Sequence, residues 1–259
     1  GVGVDPSRLG QRVVCDPYWA ENGSTRFLGA HRDGGFAQFC AVPAINAHPV
    51  PDIAIDDAKL ATLPCSAGTA MNMMLIASVR PGDRVIVTGA SGGVGTFLIQ
   101  IARHLGAGVA AIASANKHRA LAALGAHMID RHSCDVVNDA RDALGAAPTV
   151  VADVVGGAGF ASLIAALGPG GRYVTAGAIA GPLVELDLRT LYLNNLEFYG
   201  SSTYRSDTFP KLLDILAAGG IDPIVDSLWP LDQIVAAQRA FLTKTHVGSL
   251  VLTLPPVSI

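Results

Sequence analysis

The sequence has little charge, few aromatic residues and no long apolar segment. Charged residues make up 15% of its 259 residues and aromatic residues 6%, while half of the chain is hydrophobic. No uncharged apolar run reaches the roughly 18 residues that a membrane-spanning helix needs, so we predict no membrane partner. Small side chains supply much of the apolar content, as at residues 110–115 and 120–123. Such stretches are typical of close contacts between helices and a sheet.

Clustered positive charge and clustered cysteines are also missing. Lys and Arg number 18 against 21 Asp and Glu, for a net charge of −3. Without a basic stripe we predict no nucleic-acid partner. The four cysteines, at positions 15, 40, 65 and 134, form no CxxC pair. This spacing is unlike a disulfide framework, and no signal peptide opens the chain, so we predict a cytoplasmic protein.

The pattern of the chain changes near residue 82. Before it, short strand-like runs at residues 11–15, 35–42 and 47–51 are interrupted by glycine and proline, which predicts an irregular β-rich region. After it, strand-like and helix-like segments alternate. The predicted strands are 84–88, 109–113, 127–130, 149–155, 172–176 and 196–200, and the predicted helices are 94–105, 116–124, 135–144, 160–167, 207–218 and 231–242. This alternation predicts the α/β class with a doubly wound parallel sheet.

A glycine-rich turn joins the first of these strands to the first helix. Residues 89–95 read Gly-Ala-Ser-Gly-Gly-Val-Gly. A pyrophosphate can lie at a helix N-terminus only where the backbone comes close, which side chains would prevent. We therefore predict a nucleotide site formed by Gly89, Ser91, Gly92, Gly93, Val94 and Gly95. A glycine-rich turn that binds nothing is the alternative, and the strand–turn–helix context favours the nucleotide.

The residues after the second strand bear on the choice between NAD and NADP. Residues 113–119 read Ala-Ser-Ala-Asn-Lys-His-Arg, with no acid to bond the ribose hydroxyls of NAD. A 2′-phosphate instead needs positive partners. We predict that Ser114, Lys117 and Arg119 bind that phosphate, so that NADP is preferred and NAD is the alternative. The simpler interpretation is that Lys117 and Arg119 only solvate the helix surface.

Five further segments occur in the order of a known superfamily. They are Leu-Gly-Ala-His-Arg-Asp-Gly-Gly-Phe-Ala at 28–37, Leu-Pro-Cys-Ser-Ala-Gly-Thr-Ala at 63–70, Pro-Gly-Asp-Arg-Val-Ile-Val-Thr-Gly at 81–89, Pro-Gly-Gly-Arg at 169–172 and His-Val-Gly-Ser-Leu-Val-Leu at 246–252. With these segments the chain resembles the medium-chain dehydrogenases/reductases, which include alcohol dehydrogenases and quinone reductases. The resemblance implies a Rossmann domain at residues 66–203. It also implies a partial, β-rich GroES-like lobe at residues 1–65, completed by residues 204–259.

The resemblance also implies an activity and several site residues. Hydride would pass between NAD(P) and a small-molecule alcohol, aldehyde or ketone. Thr69, Val155, Ala176 and Gly177 match positions on the nicotinamide side of the cofactor. Cys65 matches the third ligand of the family's catalytic zinc. A homodimer would form through sheet edges near residues 172–200.

Two departures from the family keep the mechanism open. Residues 16–32 lack the clustered cysteines of the structural-zinc lobe, so we predict no structural zinc. The family's other catalytic-zinc ligands belong to a segment that precedes the first residue here, and Cys65 alone cannot hold the metal. Catalytic zinc therefore stays open. The alternatives are a zinc-independent quinone or enoyl reductase and an N-terminally incomplete fragment that binds nucleotide without turnover.

Overall fold

The computed structural model describes residues 1–255, which begin with two small antiparallel sheets. Their strands are β1 (Val13–Cys15), β2 (Tyr18–Glu21), β3 (Ser24–Phe27) and β4 (Ala47–Pro49). β1 pairs with β4, and β2 pairs with β3. The predicted strands at residues 11–15 and 47–51 are thus confirmed in slightly shorter form.

One predicted strand in this region is wrong. Residues 35–42 have no strand structure, and the aromatic side chains of Phe36 and Phe39 are largely exposed. Apolar residues alone do not form a strand when no neighbouring strand supplies backbone partners. The β2–β3 hairpin was not predicted, although Asn22 and Gly23 carry the signal. Both have positive φ angles, as a two-residue hairpin turn requires.

A six-stranded parallel sheet forms the centre of the molecule. Its strands are β5 (Arg84–Val87), β6 (Gly108–Ala113), β7 (His127–Asp130), β8 (Val150–Asp153), β9 (Arg172–Thr175) and β10 (Glu197–Gly200). They lie in the order β10-β9-β8-β5-β6-β7, and every neighbouring pair is parallel. The predicted α/β class and doubly wound sheet are confirmed.

The described residues form nine α-helices. They are α1 (Asp57–Leu60), α2 (Gly68–Ile76), α3 (Gly93–His104), α4 (His118–Leu121), α5 (Val136–Leu144), α6 (Phe160–Ala166), α7 (Leu188–Leu193), α8 (Thr208–Ala217) and α9 (Ile234–Leu242). Some of these helices cover the two faces of this sheet, whereas α1 and α9 contact a smaller sheet near the end of the chain. Side chains of β5 alternate between the faces, as the pleat of a strand dictates. Val85 and Val87 join the core with α2, α3 and α8, whereas Ile86 joins the core with α5 and α6.

The helix predicted for residues 116–124 is wrong as one continuous element. It is divided into a 3₁₀ turn, the four-residue α4 and a second 3₁₀ turn that ends at the left-handed Gly125. Leu121 is the only fully buried side chain among the hydrophobic residues of these three turns. So little packing does not hold a regular helix of this length, because short helices depend on tertiary contacts.

The last third of the chain adds a third small sheet and packs a helix onto the main core. β11 (Val225–Pro230) and β12 (Ser249–Thr253) run parallel to each other, and β11 was not predicted. Phe209 and Leu212 of α8 are buried against α2. The predicted division at residues 65 and 203 stays a prediction. Among residues 1–255, no helix has the length and apolar character that a membrane crossing requires.

A buried ion pair joins the strands at the N-terminal edge of the sheet. The Arg172 guanidinium donates to the Asp83 carboxylate, and their side chains are 12% and 5% exposed. The Thr149 hydroxyl donates to the same carboxylate at 2.7 Å. Arg172 also donates to the backbone oxygens of Ala77 (2.6 Å) and Ser78 (2.8 Å). The buried charges of Asp83 and Arg172 are therefore paired with each other, as buried charges must be.

Candidate functional site

The opposite, C-terminal edge of the sheet contains a crevice. From β5 the chain continues to β6 on one side, while β8 lies on the other side of β5. The chain therefore leaves β5 for α3 on one face of the sheet and leaves β8 for α6 on the other face. Open α/β sheets bind their ligands at such a switch point. The predicted glycine loop follows β5 directly.

The glycines of this loop allow backbone segments to approach each other. A Cβ atom on Gly95 would lie 2.6 Å from the Ala90 Cα atom, so α3 could not pack against the loop with any side chain there. Gly89 has φ +57°, and a Cβ on it would lie 2.9 Å from a methyl group of Val154. Gly92 is the N-cap of α3 and provides no side chain to cap the helix. No N-cap side chain therefore accepts from the first N–H groups of α3, and such groups are the ones to which an anion binds at a helix N-terminus.

Gly93, predicted as part of the nucleotide site, also packs closely against other parts of the chain. A Cβ atom on it would lie 2.6 Å from the Ser66 Oγ atom and 3.0 Å from the Ser249 Oγ atom. Its small size thus brings the start of α3 against two other parts of the chain, the turn before α2 and the start of β12. Two hydroxyl groups therefore lie beside the first turn of α3, and the predicted cofactor contact of Gly93 stays a prediction.

A buried carboxylate, that of Asp153, organises the loop after β8. It was not among the predicted site residues. Asp153 is fully buried and accepts hydrogen bonds from the Thr88 hydroxyl, the Tyr173 hydroxyl (2.6 Å) and the Val155 N–H (2.8 Å). Burial and the adjacent Asp153 raise the pKa of Tyr173, so this phenol keeps its proton and donates it. Asp153 therefore links β5, β8 and β9 directly beneath the crevice. An aspartate at the end of a predicted strand was the only signal in the sequence.

Three residues predicted for the nicotinamide side lie in the same region, after β8 and β9. Val155, Ala176 and Gly177 are half-buried. A Cβ atom on Gly177 would lie 3.0 Å from the Val154 carbonyl oxygen, so the two loops touch through their backbones. The Ala176 N–H donates to the Asp153 carbonyl at 3.3 Å. These loops form one wall beside the glycine loop.

Thr69 lies at the start of α2, within hydrogen-bond distance of Tyr204, which was not among the predicted site residues. The Thr69 and Tyr204 hydroxyl oxygens are 3.0 Å apart, and the Tyr204 hydroxyl also donates to the Cys65 carbonyl at 2.9 Å. A Cβ atom on Gly68 would lie 2.5 Å from the Tyr204 ring, so glycine is required beneath it. Burial raises the pKa of Tyr204, and its phenol stays neutral. Tyr204 is 135 residues from Thr69 in sequence, and local patterns do not reveal such a pair.

Cys65 as a whole residue is exposed to solvent. Its thiol group is nevertheless partly surrounded by protein atoms, and this burial raises the pKa of the thiol. Its neighbours do not make a zinc site. Among residues 1–255, no group of three or more His, Cys, Asp or Glu side chains lies close enough together to hold a metal ion. A catalytic zinc needs three protein ligands, so the described residues do not fit that group and we derive no step through it.

The residues predicted to bind a 2′-phosphate divide into two kinds. Ser114 is half-buried at the end of β6, and Arg119 is exposed on α4. Lys117 is half-buried, and its ammonium group bonds to the protein itself, to the backbone oxygens of Lys244 (2.6 Å) and His246 (2.7 Å). It also lies 3.3 Å from the Ser91 hydroxyl in the glycine loop. The structure thus places Lys117 beside the predicted pyrophosphate site.

Comparisons with known proteins agree with this geometry. Residues 93–218 match the family model of the zinc-binding dehydrogenases. A crystal structure of a protein from Sinorhizobium meliloti 1021, assigned as an alcohol dehydrogenase, superposes with a TM-score of 0.92 and 41% identity, covering 98% of this chain and 72% of that one. The chain belongs to the medium-chain dehydrogenase/reductase superfamily, among its alcohol dehydrogenase-like members.

Two curated relatives widen the range of named activities in this family. Acryloyl-coenzyme A reductase of Metallosphaera sedula is 28% identical over 85% of this chain, which spans 65% of that enzyme. Polyketide synthase GfsB of Streptomyces halstedii is 29% identical over 86% of this chain, which spans 4% of that protein. The chain therefore covers a part of each relative, and both match across most of its own length.

Proposed function

We propose that this chain is an NAD(P)-dependent oxidoreductase that transfers hydride between nicotinamide and a small alcohol, aldehyde or ketone. One observation carries the proposal. The N-terminus of α3, whose N-cap Gly92 supplies no side-chain cap, lies at the switch point of the sheet, directly after the glycine loop that follows β5. A pyrophosphate bound there directs the rest of a dinucleotide along the strand ends.

The same geometry supports a nicotinamide position at the wall formed by Thr69, Val155, Ala176 and Gly177. The first of these is held by Tyr204, and the others by the turn that Asp153 organises. A substrate carbon must approach the nicotinamide closely and in line, so a fixed wall lowers the barrier by positioning. Bound NAD(P) supplies the hydride, and the residues of the wall orient it and exclude water.

We further propose that NADP is the preferred cofactor. Residues 113–119 contain no carboxylate that would repel a 2′-phosphate. Ser114 offers a hydroxyl group at the end of β6, and the exposed Arg119 guanidinium can reach a phosphate from α4. Lys117 lies beside Ser91, on the side of the glycine loop and its predicted pyrophosphate.

Titration of the full chain with NADPH and NADH, each followed by calorimetry, tests both proposals. We expect micromolar binding of NADPH and weaker binding of NADH. Tighter binding of NADH would keep the oxidoreductase proposal and reject the 2′-phosphate site. A folded protein that binds neither cofactor would reject the proposed function. Binding without turnover of any alcohol, aldehyde or ketone tested would indicate a nucleotide-binding fragment.

A second candidate function is zinc-independent reduction of a conjugated double bond, as in a quinone or enoyl reductase. The match to acryloyl-coenzyme A reductase favours it, as does a glycine loop with two residues between Gly89 and Gly92. Assays with NADPH and an α,β-unsaturated thioester or a quinone, beside assays with simple aldehydes, separate the two candidates. Reduction of the double bond alone would select the second. Addition of Zn²⁺ to the same assays tests whether the first needs the metal.

We also propose a homodimer that forms through β10, the edge strand of the sheet, in the cytoplasm. The chain between β9 and β10 exposes four large apolar side chains, Ile179, Leu183, Leu188 and Leu193, each more than 60% exposed. Such a patch beside an open strand edge is typical of an interaction surface. Light scattering of the purified chain measures its mass, and Leu183→Asp should shift it toward the monomer. A wild-type monomer at high concentration would reject the dimer.

A further inference from the structure

The segment at residues 244–248 crosses over the glycine loop, and we call it the C-terminal strap. The Gly248 N–H donates to the Ser91 carbonyl at 2.9 Å, and Gly248 pairs with Gly92 as an isolated β-bridge. The Val247 N–H donates to the Asp226 carboxylate at 3.0 Å. The strap therefore touches the N-cap of α3, where the pyrophosphate would lie.

The backbone of the strap is held in a strained form. Lys244 has a φ of +56°, a left-handed conformation that costs a non-glycine residue about 1 kcal/mol. Gly248 has φ +82°, and a Cβ atom on it would lie 2.8 Å from the Ile224 Cβ atom. His246 is buried, stacks on Phe241 with ring centroids 5.1 Å apart, and has a buried Nδ1 atom without a partner. Contacts elsewhere must hold such a segment in place.

Lys117 provides the contact that joins the strap to the loop. Its ammonium group has three N–H donors, and three oxygens lie within reach: the Lys244 carbonyl (2.6 Å), the His246 carbonyl (2.7 Å) and the Ser91 hydroxyl (3.3 Å). A 2′-phosphate could take a donor from this group only by breaking one of these bonds. Partial burial and the nearby Arg131 lower the pKa of Lys117, whereas Asp226 raises it.

We propose that Lys117 is a positioning residue that latches the C-terminal strap onto the glycine loop, and so supports binding of the pyrophosphate that NAD and NADP share. Discrimination at the 2′ position then belongs to Ser114 and Arg119. This assignment differs from the sequence-based one in a measurable way. A latch affects both cofactors equally, whereas a 2′-phosphate ligand affects only NADPH. The cofactor part of the inference rests on the proposed function, and the contact between strap and loop does not.

Lys117→Gln removes the charge and shortens the reach, and Arg131→Gln is its matched control. The control removes one positive charge from an exposed residue near Lys117 and leaves every bond between Lys117 and the strap in place. Arg119→Gln tests the phosphate contact separately. For each variant, binding of NADPH and of NADH is measured at a temperature where circular dichroism shows the folded state. Amide hydrogen exchange of Val247 and Gly248 is measured without cofactor.

For Lys117→Gln we expect both cofactors to bind about 10-fold more weakly, the scale of one lost charged hydrogen bond, with their ratio unchanged. Exchange at Val247 and Gly248 should be about 5-fold faster or more. Arg131→Gln should change neither quantity, and Arg119→Gln should weaken binding of NADPH alone. Selective loss of NADPH binding in Lys117→Gln, or unchanged exchange in the strap, would overturn the latch. If the wild type binds no cofactor, the proposed function fails, and the exchange measurement still decides the latch.

Discussion

The two edges of the central sheet differ in how far their polar groups are paired with other groups of the protein. At the N-terminal edge, Asp83, Thr149 and Arg172 pair every charge and hydrogen-bond donor that the fold buries there. At the C-terminal edge, Gly92 leaves the start of α3 uncapped, and several hydrogen-bond donors point toward a crevice. The first edge stabilises the fold, and the second gives up stability to leave groups available for a ligand. One sheet thus separates structural from functional residues along the direction of its strands.

The largest effect should follow from breaking the paired edge. Asp83→Ala leaves the Arg172 guanidinium buried without its carboxylate, which typically costs about 3–5 kcal/mol of unfolding free energy. We expect a large drop in the urea midpoint, with the cofactor affinity of the still-folded fraction unchanged. The double variant Asp83→Ala/Arg172→Met is the control, because it removes both charges, and it should recover part of the loss. A single variant as stable as the wild type would contradict this account of the edge.

A capping residue at the open edge should have opposite effects on stability and binding. The N-cap Gly92 has extended backbone angles, and a Cβ atom on it would make only an ordinary 3.5 Å contact with the Gly89 carbonyl. Gly92→Asp should cap α3 and stabilise the protein by about 1 kcal/mol. Its carboxylate would occupy the anion site, so we expect the affinity for NADPH to fall about 100-fold, or about 2.7 kcal/mol.

Gly92→Ala is the matched control, because it adds the Cβ atom without a cap or a charge. Gly92→Ala should keep most of the cofactor affinity of the wild type, and unlike Gly92→Asp it should not raise the melting temperature. If Gly92→Asp bound NADPH as tightly as Gly92→Ala, the pyrophosphate would lie elsewhere.

The carboxyl group of Asp16 should lower the stability of the protein, and the size of this effect should depend on pH. Burial raises the pKa of Asp16 to about 6. The folded protein therefore holds this proton to higher pH than the unfolded chain, and its free energy of unfolding falls as pH rises from about 4 to 6. Asp16→Asn keeps the oxygen that accepts from the Tyr18 N–H. It should stabilise the protein by on the order of 1–2 kcal/mol at pH 8 and not at pH 4. An equal gain at both pH values would argue against the raised pKa.

The smallest expected effect concerns the hydroxyl group beside Thr69. Tyr204→Phe keeps the ring that packs over Gly68 and loses the hydrogen bonds to the Cys65 carbonyl and Thr69. The loss should cost about 1 kcal/mol of stability, and we expect turnover to fall more than cofactor affinity because the nicotinamide wall moves. Tyr192→Phe, at an exposed site, is the control and should be neutral. Unchanged turnover in Tyr204→Phe would separate this hydroxyl from the function.

Local sequence patterns predicted the sheet and the glycine loop but missed the contacts between distant segments. The loop at residues 89–95 combines its glycines with a preceding strand and a following helix, all within a short stretch. Some hydrogen bonds that position the site join residues 65 to 157 positions apart in the sequence. They are bonds of Asp153, of Tyr204 and of the strap to Ser91. The wrong prediction of a strand at residues 35–42 shows the same limit. A strand needs a neighbouring strand to pair with, and its own residues do not specify one.

Amide hydrogen exchange with and without NADPH tests the contrast between the two edges most directly. The account predicts that the cofactor protects the amides of Gly93, Val94 and Gly95 at the start of α3. The amides of Asp83, Arg84 and Arg172 at the opposite edge should keep their exchange rates. Protection at the Asp83 edge, or bound NADPH with no protection at residues 93–95, would contradict the placement of the cofactor.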